Sequence, residues 1–513
     1  MNKRLKVILL LLNQFLDQIF FINLLLKKVM QQKQFYNILQ EFISSQLSSH
    51  TELDLKFFLT NKQIKGQGLQ PLFSALSKCT KLITLQLQLS STTIGAQGAS
   101  SLGLALGSCS NLSNLTLNVT YCYISNEGIS LLCSGIAKCA KISNLKLMLN
   151  GNKIEAQGAS ALASSLIKFT NLSNIQIDFS SNTIGQKGAQ ILCSALSSCS
   201  NIQTIKLDLI LNNIGEQYQQ NVCSTLVKCT NLSVLDLDLG SNKIDDKQVV
   251  ALCSILGQCT NLSKLTLGLS HNKITDKGAP GLVSALSNCK ILSILNLQLG
   301  ANTIGSQGVS DVGQALTKFA VLSTLVLYLG QNEISAKGVY GLSSALKNCA
   351  KISSLEIDFY NNKIGVEGIS ALGSQLVNCL NIKNLKLCLM NCDISLAGIN
   401  SLGSDLSNFK NLSSLELGLS HIGTKEISNL GLALANCCKL QNLTLNFQDS
   451  NFGEGILYFG SSLIGFKSLQ SLTIDFNDRN IQWEQARIFV KSLQKIKRLV
   501  YQSISFCQEQ SEY

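Results

Sequence analysis

Nineteen cysteines, three histidines (His50, His271 and His421) and 30 acidic residues are the side chains of this 513-residue sequence with obvious chemical potential. Catalysis needs them in a constellation, with a nucleophile beside a base and a third group orienting that base. No Ser-His-Asp or Cys-His set is recognisable. A phosphate-cradling Gly-x-x-x-x-Gly-Lys-Ser/Thr loop is absent, and so is the kinase set of Gly-rich loop, His-Arg-Asp and Asp-Phe-Gly. Cys437 and Cys438 are adjacent, without a second cysteine pair or a nearby histidine, which does not suit zinc. The expectation is a chain that is not an enzyme and holds neither cofactor nor metal.

The spacing of the cysteines points elsewhere. Cys79, Cys109, Cys139, Cys199, Cys229, Cys259, Cys289, Cys349 and Cys379 fall on a single thirty-residue period. Where that period skips a cysteine, it holds Phe169, Phe319 or Phe409. A position that accepts Phe for Cys is an apolar core position, so these are read as free thiols. Free thiols in such number fit a reducing compartment, and the location expected is cytoplasmic. Triplets such as Asn171-Leu172-Ser173 and Asn261-Leu262-Ser263 match a glycosylation acceptor, but they recur with the same period and are read as the start of a strand.

The elements that position these residues follow from that period. Blocks of thirty beginning at Thr51 place Ile at position 14 in all twelve, from Ile64 to Ile394. Position 18 is Gly in ten of the twelve, the exceptions being Tyr218 and Gln248. Position 26 is Leu in every block but one, which has Ile136. Positions 5, 7 and 9 alternate apolar with polar, as in Leu235-Asp236-Leu237-Asp238-Leu239, the pattern of a strand with one buried face. Asn at position 12, from Asn152 to Asn362, follows in a turn, where its amide can bond backbone groups of stacked loops. Gly at position 18 suits a place where backbone turns or passes close. Apolar residues at positions 22 and 26, such as Leu282 and Leu286, lie on one helical face. No such unit buries its apolar face alone, and stacking buries a continuous core. A 28-residue block from Asn411 and a 29-residue block from Lys439 follow, and Leu472–Phe476 reads as a closing strand.

The pattern in Asn261–Lys290, with Leu262, Leu265, Leu267, Asn272, Ile274, Gly278, Leu282 and Leu286, resembles the ribonuclease-inhibitor-like class of leucine-rich repeats. The strand segment is two residues longer than that class usually shows. The array also resembles an expanded ciliate family often labelled as kinase-domain proteins, although the kinase motifs are absent here. The resemblance implies an α/β horseshoe solenoid, with parallel strands on the concave face and helices on the convex face. It implies an interaction scaffold that binds a protein partner on the strands. A GTPase-activating protein, acting by positioning and charge, is an alternative because one such family uses this repeat class.

The organisation expected is residues 1–50 as an apolar, amphipathic helical N-terminal segment and cap, 51–476 as about fourteen repeats plus a closing strand, and 477–513 as a C-terminal helical cap and tail. Val7–Leu26 is the strongest apolar stretch and is flanked by cationic residues. Its length could span a bilayer, but Asn13, Gln14, Asp17 and Gln18 gather on one side with Lys6. A docked cap is favoured, and the alternatives are the anchor of a membrane-bound receptor or adaptor and a signal peptide. Gln482–Leu499 reads as an amphipathic cap with Trp483, Ile488, Phe489, Leu493 and Ile496. The net charge of +12 is spread along the chain rather than gathered on one face, which argues against nucleic acid.

The residues left to carry specificity are the polar strand positions 4, 6, 8 and 10. Asp178, Asp208 and Asp238 share position 8 of successive blocks, with Asp236 nearby. Like charges at that spacing oppose sheet pairing, so they form a candidate acidic surface for a basic partner. Tyr328, Glu356, Asp358, Tyr360 and Met390 form a second candidate, because exposed tyrosine gives contact area at low entropy cost. Lys243, Lys247, Lys273 and Lys277 read as a solvated basic edge.

Overall fold

The computed structural model describes residues 33–36, 39–56, 66–215, 224–477 and 481–506. Two units follow one another, residues 1–203 and 204–513. Each is a solenoid of strand–turn–helix coils.

In the first unit six strands run parallel in chain order: Lys33–Tyr36, Glu52–Lys56, Thr84–Gln88, Asn114–Asn118, Asn144–Met148 and Asn174–Asp178. In the second unit the strands from Thr204–Asp208 to Tyr501–Ser505 are likewise all parallel and each pairs with the next. Helices such as Gly95–Gly107, Gly278–Leu286 and Ser306–Leu316 return the chain to the next strand. Parallel neighbours need such crossovers, and a helix supplies them while burying one face.

Strand leucines, the Ile of position 14 and the helix leucines form the core; Leu265, Leu267, Ile274, Leu282 and Leu286 are all fully buried. The periodic cysteines join them: Cys79, Cys109 and Cys139 are fully buried, and Cys349 and Cys379 are half-buried. Burial pushes their thiols up, Cys109 to about 12 and Cys139 to about 11. These are unreactive core positions. Gly at position 18 serves close packing rather than a turn, since a Cβ on Gly338 would lie 2.7 Å from the Ser306 Cα of the preceding helix. At the exceptional Gln248 the side chain instead forms a capping box with Asp245 and donates to the Gly215 carbonyl.

Asparagines of position 12 form the expected ladder. Asn242 Nδ2 donates to the Leu209 and Gly240 carbonyls at 2.8 and 3.0 Å, and its Oδ1 accepts from the Asn212 and Ile214 amides. Cys122 and Cys392 keep the donor half, each Sγ reaching a carbonyl of the preceding coil at 3.0 and 3.1 Å. The residue just before the ladder has positive φ in coil after coil, including Tyr121, Leu211, His271 and Ala301. Its amide bonds the carbonyl of the next coil, as in Ala301 N to Gly330 O at 2.8 Å. Position 16 caps the next coil's helix: Asp276 Oδ1 accepts from the Gly305 and Gly308 amides at 2.6 and 2.9 Å, and Asn126 does the same for Glu155 and Gly158.

Three features depart from the thirty-residue scheme. Leu53 pairs with Leu85, a step of 32, so the strand Glu52–Lys56 starts two residues earlier than its block, and the strand Lys33–Tyr36 pairs beside it inside the segment expected as a helical cap. The sheet continues past Phe476, because Tyr501–Ser505 pairs in parallel with Ser471–Asp475 where only a helical cap was expected. Gln502 stands where earlier coils hold a core leucine, which hides this strand from a hydrophobic pattern. Finally, Phe489, Leu493 and Ile496 are buried, but Trp483, at the first turn of its helix, is 79% exposed. Val7–Leu26 lies outside the described residues. Among the described residues, no helix is long and apolar enough to cross a membrane.

Candidate functional site

Alternation along each strand puts the leucines inward and leaves positions 4, 6 and 8 on the outer strand face, as in the buried–half-buried pattern of Thr324–Tyr328 and Ser354–Asp358. Parallel pairing in register then sets like positions side by side. Val326, Glu356, Lys386 and Glu416 form one row, and Tyr328, Asp358, Cys388 and Gly418 form the next.

A polar chain runs across these rows in the second unit. The Tyr328 hydroxyl donates to Glu356 Oε1 at 2.8 Å. Lys386 Nζ lies 3.1 Å from that oxygen and 3.2 Å from Glu416 Oε1. Asn446 Nδ2 reaches Glu416 at 3.5 Å. Burial, the hydrogen bond to Glu356 and the charges of Glu356 and Asp358 push the Tyr328 phenol up to about 12, with Lys386 opposing. Burial lowers Lys386, but its two carboxylate partners outweigh this and raise it to about 12. The phenol is therefore a fixed donor and the ammonium a fixed cation. The whole chain is half-exposed and ordered before any contact.

Of the expected second cluster, the structure joins Tyr328 and Glu356 directly and sets Asp358 beside Tyr328 in register. Tyr360 lies over Gly330, its Cβ 3.2 Å from where a Cβ would sit on that glycine. Met390 leans over Gly418 in the same way, with Cε at 3.1 Å. Lys386 and Glu416 were missed by the sequence reading. Their signal was the alternation Glu356, Lys386, Glu416 at thirty-residue steps.

The expected acidic surface divides. Asp178 belongs to the first unit, and Asp208, Asp236 and Asp238 to the second. Within the second unit Asp208 pairs with Asp238, and Lys206 with Asp236. The aspartates at position 8 also have a local task. Oδ1 of Asp178, Asp208, Asp238 and Asp358 accepts the amide two residues on, closing the turn after each strand. Burial raises the Asp238 carboxyl above its ordinary range; the Gly240 amide opposes this and Asp236 adds to it. Gly268 follows Asp238 in the row, and its missing Cβ leaves the room into which the Asp238 carboxylate leans. Among the described residues, no group of His, Cys, Asp and Glu could hold a metal ion.

No curated protein matches the chain. A family model described as Leucine Rich repeat matches residues 111–133, 230–253 and 259–282. The first match lies in one unit and the other two in the other unit. Each spans a strand, the ladder turn and the start of the following helix. Together with the parallel strands and returning helices described in both units, these matches support a leucine-rich-repeat solenoid.

Proposed function

We propose that this chain is a non-enzymatic scaffold that binds a protein partner on the outer strand face of the second unit. Leucine-rich repeats generally mediate protein–protein interaction. The observation that carries the reading is the pre-ordered Tyr328–Glu356–Lys386–Glu416 chain with Tyr360 and Met390 beside it. A half-exposed tyrosine already held by a charged acceptor loses little entropy on contact, which is what an interface anchor needs. The periodic cysteines, free and mostly buried, support a reducing, cytoplasmic setting. A membrane-anchored receptor or adaptor would rest on residues 7–26 alone, and nothing in the strand face favours GTPase activation. The subclass within the leucine-rich repeats is proposed as ribonuclease-inhibitor-like, on the strand–turn–helix coil of thirty residues.

Lysine-directed crosslinking in native cells, read by mass spectrometry, tests the proposal. A partner should be joined through Lys206 or Lys264, both exposed on the strand face. Crosslinks confined to the helix-side Lys318 and Lys347 would overturn it.

A further inference from the structure

Charge is segregated on the second unit. The outer strand face mixes both signs, as in Lys386 between Glu356 and Glu416. The edge where the strands end also mixes them, with Lys243 and Lys247 beside Asp245 and Asp246. The edge where the strands begin is different. In the four residues before each of the eight strands from Ile294–Gln298 to Tyr501–Ser505 there are eight Lys or Arg and no Asp or Glu. They are Lys290, Lys351, Lys383, Lys410, Lys439, Lys467 and the pair Lys497–Arg498, and all are exposed. In the sequence they are dispersed, but the parallel register of the strands gathers them on one edge. Seven steps of about 4.8 Å make that edge roughly 34 Å long. Among the described residues none of the eight forms an ion pair. Their side-chain hydrogen bonds go to neutral groups, Lys439 Nζ to Asn411 Oδ1 at 3.1 Å and Lys290 Nζ to the Ser287 carbonyl at 3.4 Å.

The same turns expose aliphatic side chains. Ile291, Val321, Leu380 and Val500 all stand in them, Leu380 at 59% and Val500 at 89% exposure. These are additions to the core pattern, because the core residue of each turn, such as Leu292 or Leu322, is buried beside them. Two earlier coils hold Asn231 and Asn261 where Ile291 and Val321 stand.

We propose that this edge docks peripherally on an anionic lipid bilayer. A bilayer accommodates both kinds of side chain. Lysine and arginine meet the anionic headgroups, while aliphatic tips enter the boundary between headgroups and acyl chains. Duplex nucleic acid would satisfy the cations but leave the aliphatic tips in water. Single strands need aromatic rings to stack on, and these turns offer isoleucine, valine and leucine instead. Docking by this edge leaves the outer strand face open, so the inference stands apart from the protein-binding reading.

The test is vesicle co-sedimentation of the full-length protein, on phosphatidylcholine alone and on phosphatidylcholine with about 30% phosphatidylserine. The wild type should bind the anionic vesicles more tightly, and salt should shrink the difference. Lys467→Gln, Lys497→Gln and Arg498→Gln together should weaken anionic-vesicle binding about a hundredfold, at roughly fivefold for each cation. Leu380→Ser with Val500→Ser should weaken it about tenfold with every cation in place. All five side chains are exposed, and circular dichroism confirms that both variants fold. Val7–Leu26 is the same in every variant, so differences among them report the edge. Unchanged vesicle binding by either variant overturns the inference. A wild type that prefers labelled duplex DNA to the vesicles, and loses that DNA only in the charge variant, assigns the edge to nucleic acid and overturns it too.

Discussion

The Tyr328 hydroxyl and the Lys386 ammonium share one acceptor, Glu356 Oε1, at 2.8 and 3.1 Å. They come from the strands on either side of it. Spectrophotometric titration, taken as the difference between the wild type and Tyr328→Phe, should show this phenol ionising at about 12. Glu356→Gln should bring it down, because the carboxylate no longer opposes the phenolate. An unchanged titration in that variant would dissolve the link.

Asp238 makes stability depend on pH. Its folded carboxyl is raised, chiefly by burial and further by Asp236. A raised carboxyl stabilises the fold fully below the ordinary carboxylate range, and that contribution is lost as pH rises through the raised value. Asp238→Asn still accepts the Gly240 amide but carries no charge. Urea melts should show it about 0.5 kcal/mol more stable at neutral pH. No gain should appear in acid. A loss at neutral pH would contradict the argument.

Asn242 joins two coils through four hydrogen bonds while fully buried. Asn242→Ala strands two amides and two carbonyls in the core, and should cost about 3 kcal/mol or more. Asn242→Cys should recover part of this, since Cys122 and Cys392 show that a thiol can serve the donor half. Equal midpoints for the two variants would count against that division.

Leu211 has φ of 56° and is exposed, so its side chain opposes the backbone without compensating burial. Its amide is bonded to the Gly240 carbonyl at 3.1 Å, which holds the conformation. Leu211→Gly should stabilise the protein by about 0.5–1 kcal/mol. A lower thermal midpoint in the variant would refute this.

Asp276 caps a helix that belongs to the next coil. Asp276→Ala should cost about 1 kcal/mol. Hydrogen exchange should quicken at Gly305 and Gly308 ahead of the Gly278–Leu286 helix. Faster exchange in its own helix alone would mean that the cap acts locally.

Most of the fold was legible because each coil repeats the same letters at the same interval. The shift of the strand Glu52–Lys56 was not, since the Ile and Gly anchors lie on the turn and helix side, beyond the point where Leu53 leaves register with its block. Tyr501–Ser505 escaped because its inward position holds Gln502. Five residues of the proposed surface follow from strand alternation, whereas Lys386 and Glu416 join them only as strand neighbours.

The sequence by itself determined the coil: hydrophobic period, turn asparagine and helix stripe are local signals, and their thirty-residue recurrence specifies stacking. Tertiary structure decided what each polar residue does. Whether an aspartate closes its own turn, as Asp238 does, or caps the next helix, as Asp276 does, depends on backbone geometry that composition does not encode. Whether Glu356 meets a tyrosine or a lysine depends on partners 28 and 30 residues away, which only the register of parallel strands brings within hydrogen-bond distance.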